Sequence, residues 1–171
     1  MPTEHIKKSV EAAIDYLGKH PDEARYTDTW AKATLEQGLH FRIVDANANT
    51  VFSDMPASVG GGGAAPSPAW LMRAGLASCA ATLIAIRAAQ QGLQLTQLEV
   101  LVDSESDDYG ILGMDAAVPA GPLSAKVRVR IAAAGASETG LREVVKWGVE
   151  HCPVADAILR AVPMTTEIEI T

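Results

Sequence analysis

The sequence predicts an α+β domain, and three observations carry that reading. Segments of strand-like alternation fall in hairpin-like pairs, one set before residue 53 and one after residue 97. A long apolar segment of helical character, opened by Ser67-Pro68, lies between them. Further helices separate the strand blocks, the pattern of mixed helix and sheet packed around one core. At 171 residues the chain has the length of one domain, and such a length buries roughly 70% of its unfolded surface without help from a disulfide.

The elements follow in order. Ile6, Val10, Ala13, Ile14 and Leu17 recur at helical spacing, so a first helix is expected with Thr3 as its N-cap and Gly18 and Pro21 at its end. From residue 28 to 52 the pattern changes to strands, at residues 30–35, 39–45 and 50–52. Gly38 and Asn47-Ala-Asn49 supply the turns. Gly60, Gly61, Gly62 and Gly63 then form a loop that reads as permissive backbone leading into a helix. No Gly-Lys-Ser/Thr follows it, and dinucleotide-binding spacing is lacking.

Ser67 and Pro68 fit the N-cap and first position of the central helix. This helix is apolar on nearly every side as far as Gln90-Gln91-Gly92, so it is expected to be buried all round. Its many small residues let other backbones approach closely, and Gly75, Cys79, Thr82 and Ile86 share one face. A strand follows at residues 98–103, then an acidic loop through Asp103, Glu105, Asp107 and Asp108. The loop opens with the spacing of a calcium site, but Met114 stands where the closing glutamate belongs, so it reads as a solvated hairpin end. Residues 123–132 alternate as another strand. Ser137 caps a helix that buries Leu141, Val144, Val145 and Val149; Pro153 breaks it and opens a helix over 154–161. Residues 165–170 read as a last strand.

Bulk properties narrow the function. A net charge of −7 argues against nucleic acid, which requires a concentrated basic surface. The basic run Lys126-Val-Arg-Val-Arg alternates with apolar residues, as the wet face of a strand does. The segment beginning Met1-Pro-Thr-Glu moves straight into an amphipathic helical pattern, without the features of a signal peptide. The most apolar segment, residues 74–86, is bracketed by Arg73 and Arg87 and falls short of the about 20 residues that span a bilayer. The expected setting is the reducing cytoplasm, with no membrane partner.

The chain has two cysteines. Such a pair is a structural bridge, two incidental thiols, or a dithiol catalyst, and the surroundings favour the last. Cys152 precedes Pro153 and sits at a helix start, where partial positive charge favours a thiolate; His151 is its neighbour in sequence. Cys79, in mid-helix among alanines, reads by itself as a small hydrophobe. Burial raises a thiol pKa, so reactivity there calls for a cation. Arg73 is roughly 9 Å away along the helix axis and points elsewhere, which turns attention to Arg42 on its strand. Zinc is disfavoured, because no Cys-x-x-Cys or paired histidines are present. A nucleophile-elbow hydrolase is disfavoured as well.

On these motifs the chain resembles the OsmC/Ohr proteins, thiol-dependent peroxidases acting on organic hydroperoxides. The likeness runs from about residue 29 onward. It rests on the Gly-rich loop leading to Pro66-Ser-Pro-Ala-Trp-Leu-Met-Arg-Ala-Gly-Leu-Ala-Ser-Cys79, and on His151-Cys152-Pro153-Val154 in the expected order. The resemblance implies a single OsmC-like domain, with residues 1–20 as a helical extension and 28–171 as the core. It implies antiparallel sheets packed around a long buried central helix, and an intertwined homodimer. By the same likeness Cys79 is the peroxidatic cysteine and Cys152 the resolving one, with no metal or bound cofactor and an external dithiol or lipoyl-type reductant. Arg42 is the candidate activating cation, and Trp70, Met72 and Met55 are candidate apolar pocket residues or plain core. The chain departs from the family where a glutamate is expected near the start of the central helix: it has Ala69 and Trp70. The family arginine follows a glycine pair where this chain reads Gln37-Gly38-Leu39-His40. That departure supports an alternative reading, an OsmC-fold redox sensor or a protein holding a small apolar ligand.

Overall fold

The computed structural model describes residues 3–171. The first two residues of the expected N-terminal extension therefore lie outside the described residues. The chain divides into two compact units. One is built chiefly from residues 76–101 and 128–171, the other from residues 8–75 and 102–127. The secondary structure is α+β, as the sequence predicts.

The first helix, α1, spans Thr3–Lys19. Thr3 is thus a helical residue rather than the cap before the helix. No residue of α1 is buried, and Ile14 and Leu17 of its apolar stripe stand in water. Strands β1 (Ala31–Gln37), β2 (His40–Asp45) and β3 (Thr50–Ser53) form an antiparallel sheet in the order β1-β2-β3. Arg42 lies opposite Thr34 on one side and Phe52 on the other. The first turn uses Gly38 at φ +57°, a left-handed conformation open to glycine at little cost. In the second turn Ala48 takes φ +64° without that freedom. The Asp45 carboxylate holds this turn by accepting the N–H groups of Asn47 and Asn49 at 2.8 and 2.9 Å.

The central helix, α2, spans Pro68–Gln90, and the Ser67 hydroxyl accepts the Trp70 N–H at 3.3 Å, as an N-cap does. The expectation of burial all round is corrected. Within the chain only Leu76, Ala80, Ile84, Ala88 and Ala89 of α2 are buried, a row at mostly four-residue spacing, and Trp70 is 48% exposed. Uniform apolarity in a sequence marks a helix that wants cover, but a single chain covers one face of this one. By length and composition α2 would also suffice to cross a membrane. Its buried row instead packs in a protein core, where Ile84 and Ala88 meet Val144, flanked by Leu98, Val100, Val129 and Ile131.

Strand β4 (Leu95–Glu105) pairs with β5 (Ser124–Ala133) in a separate two-stranded sheet. Arg130 faces Glu99 at 3.4 Å, and the Leu123 N–H donates to the Glu105 carbonyl at 2.8 Å, so the two strands run in opposite directions. The acidic loop between them holds a short helix, α3 (Asp108–Ile111), whose Tyr109 N–H is accepted by the Asp107 carboxylate at 2.9 Å. Helix α4 spans Glu138–Glu150, capped by the Ser137 hydroxyl accepting the Gly140 N–H at 3.1 Å. Val144 is fully buried, while Leu141, Val145 and Val149 are half-buried. Helix α5 spans Pro153–Leu159, shorter than the predicted 154–161. The last predicted strand, residues 165–170, is not formed. Its alternating pattern is present, but the single chain brings no strand beside it, and a strand without a ladder leaves its backbone to water.

Candidate active site

The two cysteines belong to the same unit, and the fold brings their side chains together. Cys79 lies on α2 and is half-buried; Cys152 has no exposed surface, and both are free thiols. Cys152 is the residue before Pro153, and a proline at the first helical position makes it the N-cap of α5. Its carbonyl accepts the Asp156 N–H at 2.9 Å, and its Sγ accepts the Ala155 N–H at 3.4 Å. Burial pushes the Cys152 thiol above its ordinary pKa. A hydrogen bond with the Cys79 sulfur pushes it further the same way, against the smaller opposing effect of the Ala155 N–H. The buried Cys152 thiol is therefore harder to ionise than an ordinary thiol, with the Cys79 side chain as its neighbour.

What holds the sulfurs together is the crossing of α2 and α4. Gly148 is buried four residues before Cys152, and Ile84 lies five residues after Cys79. A Cβ placed on Gly148 would lie 2.5 Å from Ile84 Cγ1, 2.7 Å from its backbone N and 2.8 Å from its Cα. Only a glycine permits this approach. In the sequence Gly148 passes as a weak helix residue, and nothing but the partner helix shows its purpose.

The other predicted residues are placed as follows. His151 turns back on its own helix: Nδ1 lies 2.8 Å from the Trp147 carbonyl, and the ring stacks on the Trp147 indole at 4.0 Å. Its positive charge was a candidate influence on Cys152 by sequence adjacency, but the ring is anchored to Trp147. Arg42, on β2, donates from Nε to Glu36 at 2.8 Å. Arg73 donates to the Ser104 hydroxyl at 3.2 Å. Met55, Trp70 and Met72 belong, like Arg42, to the unit that contains residues 8–75. Met55 and Met72 are half-buried, and the Met55 carbonyl accepts the Gly63 N–H at 3.0 Å.

That unit also contains a polar cluster the sequence reading missed. Asp54 is buried, and its carboxylate accepts N–H groups from Met55 at 2.7 Å, Gly62 at 3.1 Å and Ala64 at 3.0 Å. The glycine run is thus wrapped around a carboxylate, with its amides already engaged. Gly61 passes so close to the Met55 carbonyl that a side chain there would collide with it. Beside the loop lies a cavity of about 460 Å³ lined by Gln37, Gly38, Leu39, His40 and the glycines. His40 stacks on Phe52 with ring centroids 5.4 Å apart, and its Nδ1 lies 3.9 Å from Glu36.

The Ala64 N–H is the largest influence holding the Asp54 carboxyl below its ordinary value of 3.8, with the amides of Met55 and Gly62 and the charge of His40 adding to it. A lowered folded-state pKa contributes stability that is complete above the ordinary value and is lost as the pH falls through the folded-state value. The melting temperature of Asp54→Asn is therefore expected to lie below that of the unmodified chain at neutral pH, with the gap closing below pH 3.8. Parallel melting curves from neutral to acid pH measure this, and a gap constant with pH would count against the charge.

Comparison with known proteins places this architecture. The family model for OsmC-like protein matches residues 60–167, a span that contains both cysteines. An OsmC-like protein from Mycoplasma pneumoniae has a similar structure, with a TM-score of 0.68 at 14% identity over 80% of this chain and 91% of that one. An organic hydroperoxide resistance protein OsmC from Legionella pneumophila is similar at a TM-score of 0.57, with 23% identity over 78% of this chain and 90% of that one. An organic hydroperoxide resistance protein from Elizabethkingia anophelis gives a TM-score of 0.57 at 15% identity, over 78% and 89% of the two chains. Among curated protein sequences there is no match. At these identities the solved structures establish a shared fold, and the family match covers most of the chain, from the glycine loop through both thiol motifs. The chain belongs to the OsmC-like protein family.

Proposed function

We propose that this protein is a thiol-dependent peroxidase of the cytoplasm that reduces organic hydroperoxides through a Cys79/Cys152 cycle. The observation that carries the reading is the paired arrangement of one half-buried thiol and one buried thiol that is harder to ionise. The asymmetry supports a division of roles. Cys79, with access to solvent, acts as the nucleophile, and Cys152 as the resolving partner. The Cys79 thiolate attacks the terminal peroxide oxygen, the O–O bond breaks, and the alkoxide leaves and takes a proton as the alcohol. Cys79 is then a sulfenic acid. Attack by Cys152 forms the disulfide and releases water, and an external dithiol, of which a lipoyl group is one chemical form, restores both thiols. Trp70, Met72 and Met55 are the proposed apolar residues for the substrate's organic portion. That the similar proteins from Legionella pneumophila and Elizabethkingia anophelis are called organic hydroperoxide resistance proteins supports the substrate class.

Mixing the reduced protein with a stoichiometric amount of cumene hydroperoxide tests the proposal. Rapid loss of both thiols to a single intramolecular disulfide, mapped by mass spectrometry to Cys79 and Cys152, is the expected result. Peroxide left unconsumed with both thiols intact would overturn it. Rate separates turnover from the second reading, a redox switch, which is favoured by Ala69 and Trp70 standing where the family has a carboxylate. A switch closes its disulfide slowly and once. In the same assay Arg42→Ala is expected to slow the reaction of Cys79 about tenfold, the effect of a single positioned charge worth about 1.4 kcal/mol. An unchanged rate would remove Arg42 from the mechanism and leave it as the partner of Glu36 alone.

A further inference from the structure

The unit that carries both thiols also holds a cavity that the thiol chemistry does not use. It lies between the end of α2 and the second half of α4, has a volume of about 280 Å³, and is lined by Arg87, Gln91, Glu143, Lys146, Trp147 and Glu150. Lys146 and Glu150, one turn apart on α4, neutralise each other as an ion pair at 3.1 Å. Arg87 and Glu143 line the same cavity, and among the described residues neither belongs to an ion pair. Arg87 is the more telling of the two. It is half-buried, and its guanidinium lies over the Trp147 ring, 4.9 Å from the centroid. One terminal nitrogen reaches the Gln90 side-chain oxygen at 3.5 Å, the outer limit of a hydrogen bond. Its Nε is buried with no hydrogen-bond partner. A buried donor left unpaired is costly, so folded proteins rarely keep one without a use for it.

We infer that this cavity binds a free α-amino acid with an apolar side chain, its carboxylate on Arg87 and its ammonium group on Glu143. With Lys146 and Glu150 paired, the lining is left with one cation and one anion, the complement of a zwitterion. A polyanion such as a nucleotide would meet two glutamates, and a simple cation would meet Arg87. The stacked guanidinium suits a carboxylate in particular. Its plane rests on the indole, so Nε and a terminal nitrogen can donate in parallel to the two carboxylate oxygens. That contact would also give Nε the partner it lacks. Trp147 contributes the apolar wall. The volume falls just below the roughly 300 Å³ at which pockets for drug-sized molecules begin, and so suits a molecule of amino-acid size.

Titration of the unmodified chain with L-leucine tests the site independently of any peroxide chemistry. The indole N–H signal of Trp147 in a nitrogen–proton NMR spectrum is the readout, assigned with Trp147→Phe. Saturable movement with a dissociation constant of about 1 mM or tighter is expected. L-Leucinamide lacks the carboxylate and N-acetyl-L-leucine lacks the ammonium group, and each is expected to bind about tenfold more weakly or worse. Arg87→Gln and Glu143→Gln, shown to be folded by circular dichroism, are expected to weaken the binding of leucine by a similar factor. The two analogues are compared on the unmodified chain, so the test stands even if a variant misfolds. No movement at about 10 mM leucine, either analogue binding as tightly as leucine, or leucine binding unchanged in folded Arg87→Gln would overturn the inference.

Discussion

Cys79→Ser is expected to reduce hydroperoxide consumption to the uncatalysed background, whereas Cys152→Ser is expected to consume a single equivalent and then stop. The serine hydroxyl is not ionised at neutral pH and is a poor nucleophile toward a peroxide oxygen, so the loss should amount to roughly three orders of magnitude or more. In Cys152→Ser the first step survives, because Cys79 retains its access, but the sulfenic acid has no thiol beside it. A dimedone adduct at Cys79, with one alcohol released per chain, measures that outcome. The reverse pattern, with Cys152→Ser inactive from the first equivalent and Cys79→Ser still reacting once, would exchange the two roles. The thiol titration of Cys152 provides a second readout. Burial is the larger cause of its raised pKa and the Cys79 hydrogen bond the next, so Cys79→Ala is expected to move it part of the way back down, and not the whole way.

Gly148→Ala is expected to destabilise the chain and to slow disulfide closure. In an isolated helix the change would favour folding by about 1 kcal/mol. Here the added carbon meets the backbone N and Cα of Ile84 at 2.7 and 2.8 Å, atoms that move only if α2 and α4 separate. Overpacking of this kind costs typically about 1–3 kcal/mol, enough to outweigh the gain in propensity. Gly75→Ala is the control, since a Cβ there meets nothing within 4 Å, and it is expected to leave stability unchanged or raised. Urea unfolding of the two variants measures the contrast. Because Gly148 leads directly into the Cys152 cap, the same separation draws the sulfurs apart, and closure of the disulfide should slow in the folded variant. If Gly148→Ala proved as stable and as fast as the unmodified chain, the helix crossing would not be what sets the thiol pair.

Much of this site was legible from residues alone, and the illegible parts have a common cause. Ser67-Pro68, Ser137 and the Cys152-Pro153 junction announce helix starts because capping is a local affair: a side chain satisfies N–H groups two or three residues away. Strand positions in β1 to β3 followed from alternation for the same reason. The pairing of Arg42 with Glu36 had no local signal, and His151, adjacent to Cys152 in sequence, stacks on Trp147 one turn back. Asp54 carried no pattern at all, since its meaning depends on the amides of Gly62 and Ala64 being bent back to it. The α2 reading failed differently. Its composition reports the total burial the helix seeks, while a single chain supplies only part of it.

By itself the sequence determined the kinds of element, their order, their caps and the two thiol-bearing motifs, because propensity, periodicity and capping act over a few residues. Only the tertiary structure decided that a glycine on one helix would bring Cys152 beside Cys79. It alone decided which thiol would be buried and harder to ionise, and that residues 165–170 would find no strand to pair with. Those outcomes turn on the distance between segments far apart in the chain, and that distance is set by packing, which no local pattern encodes.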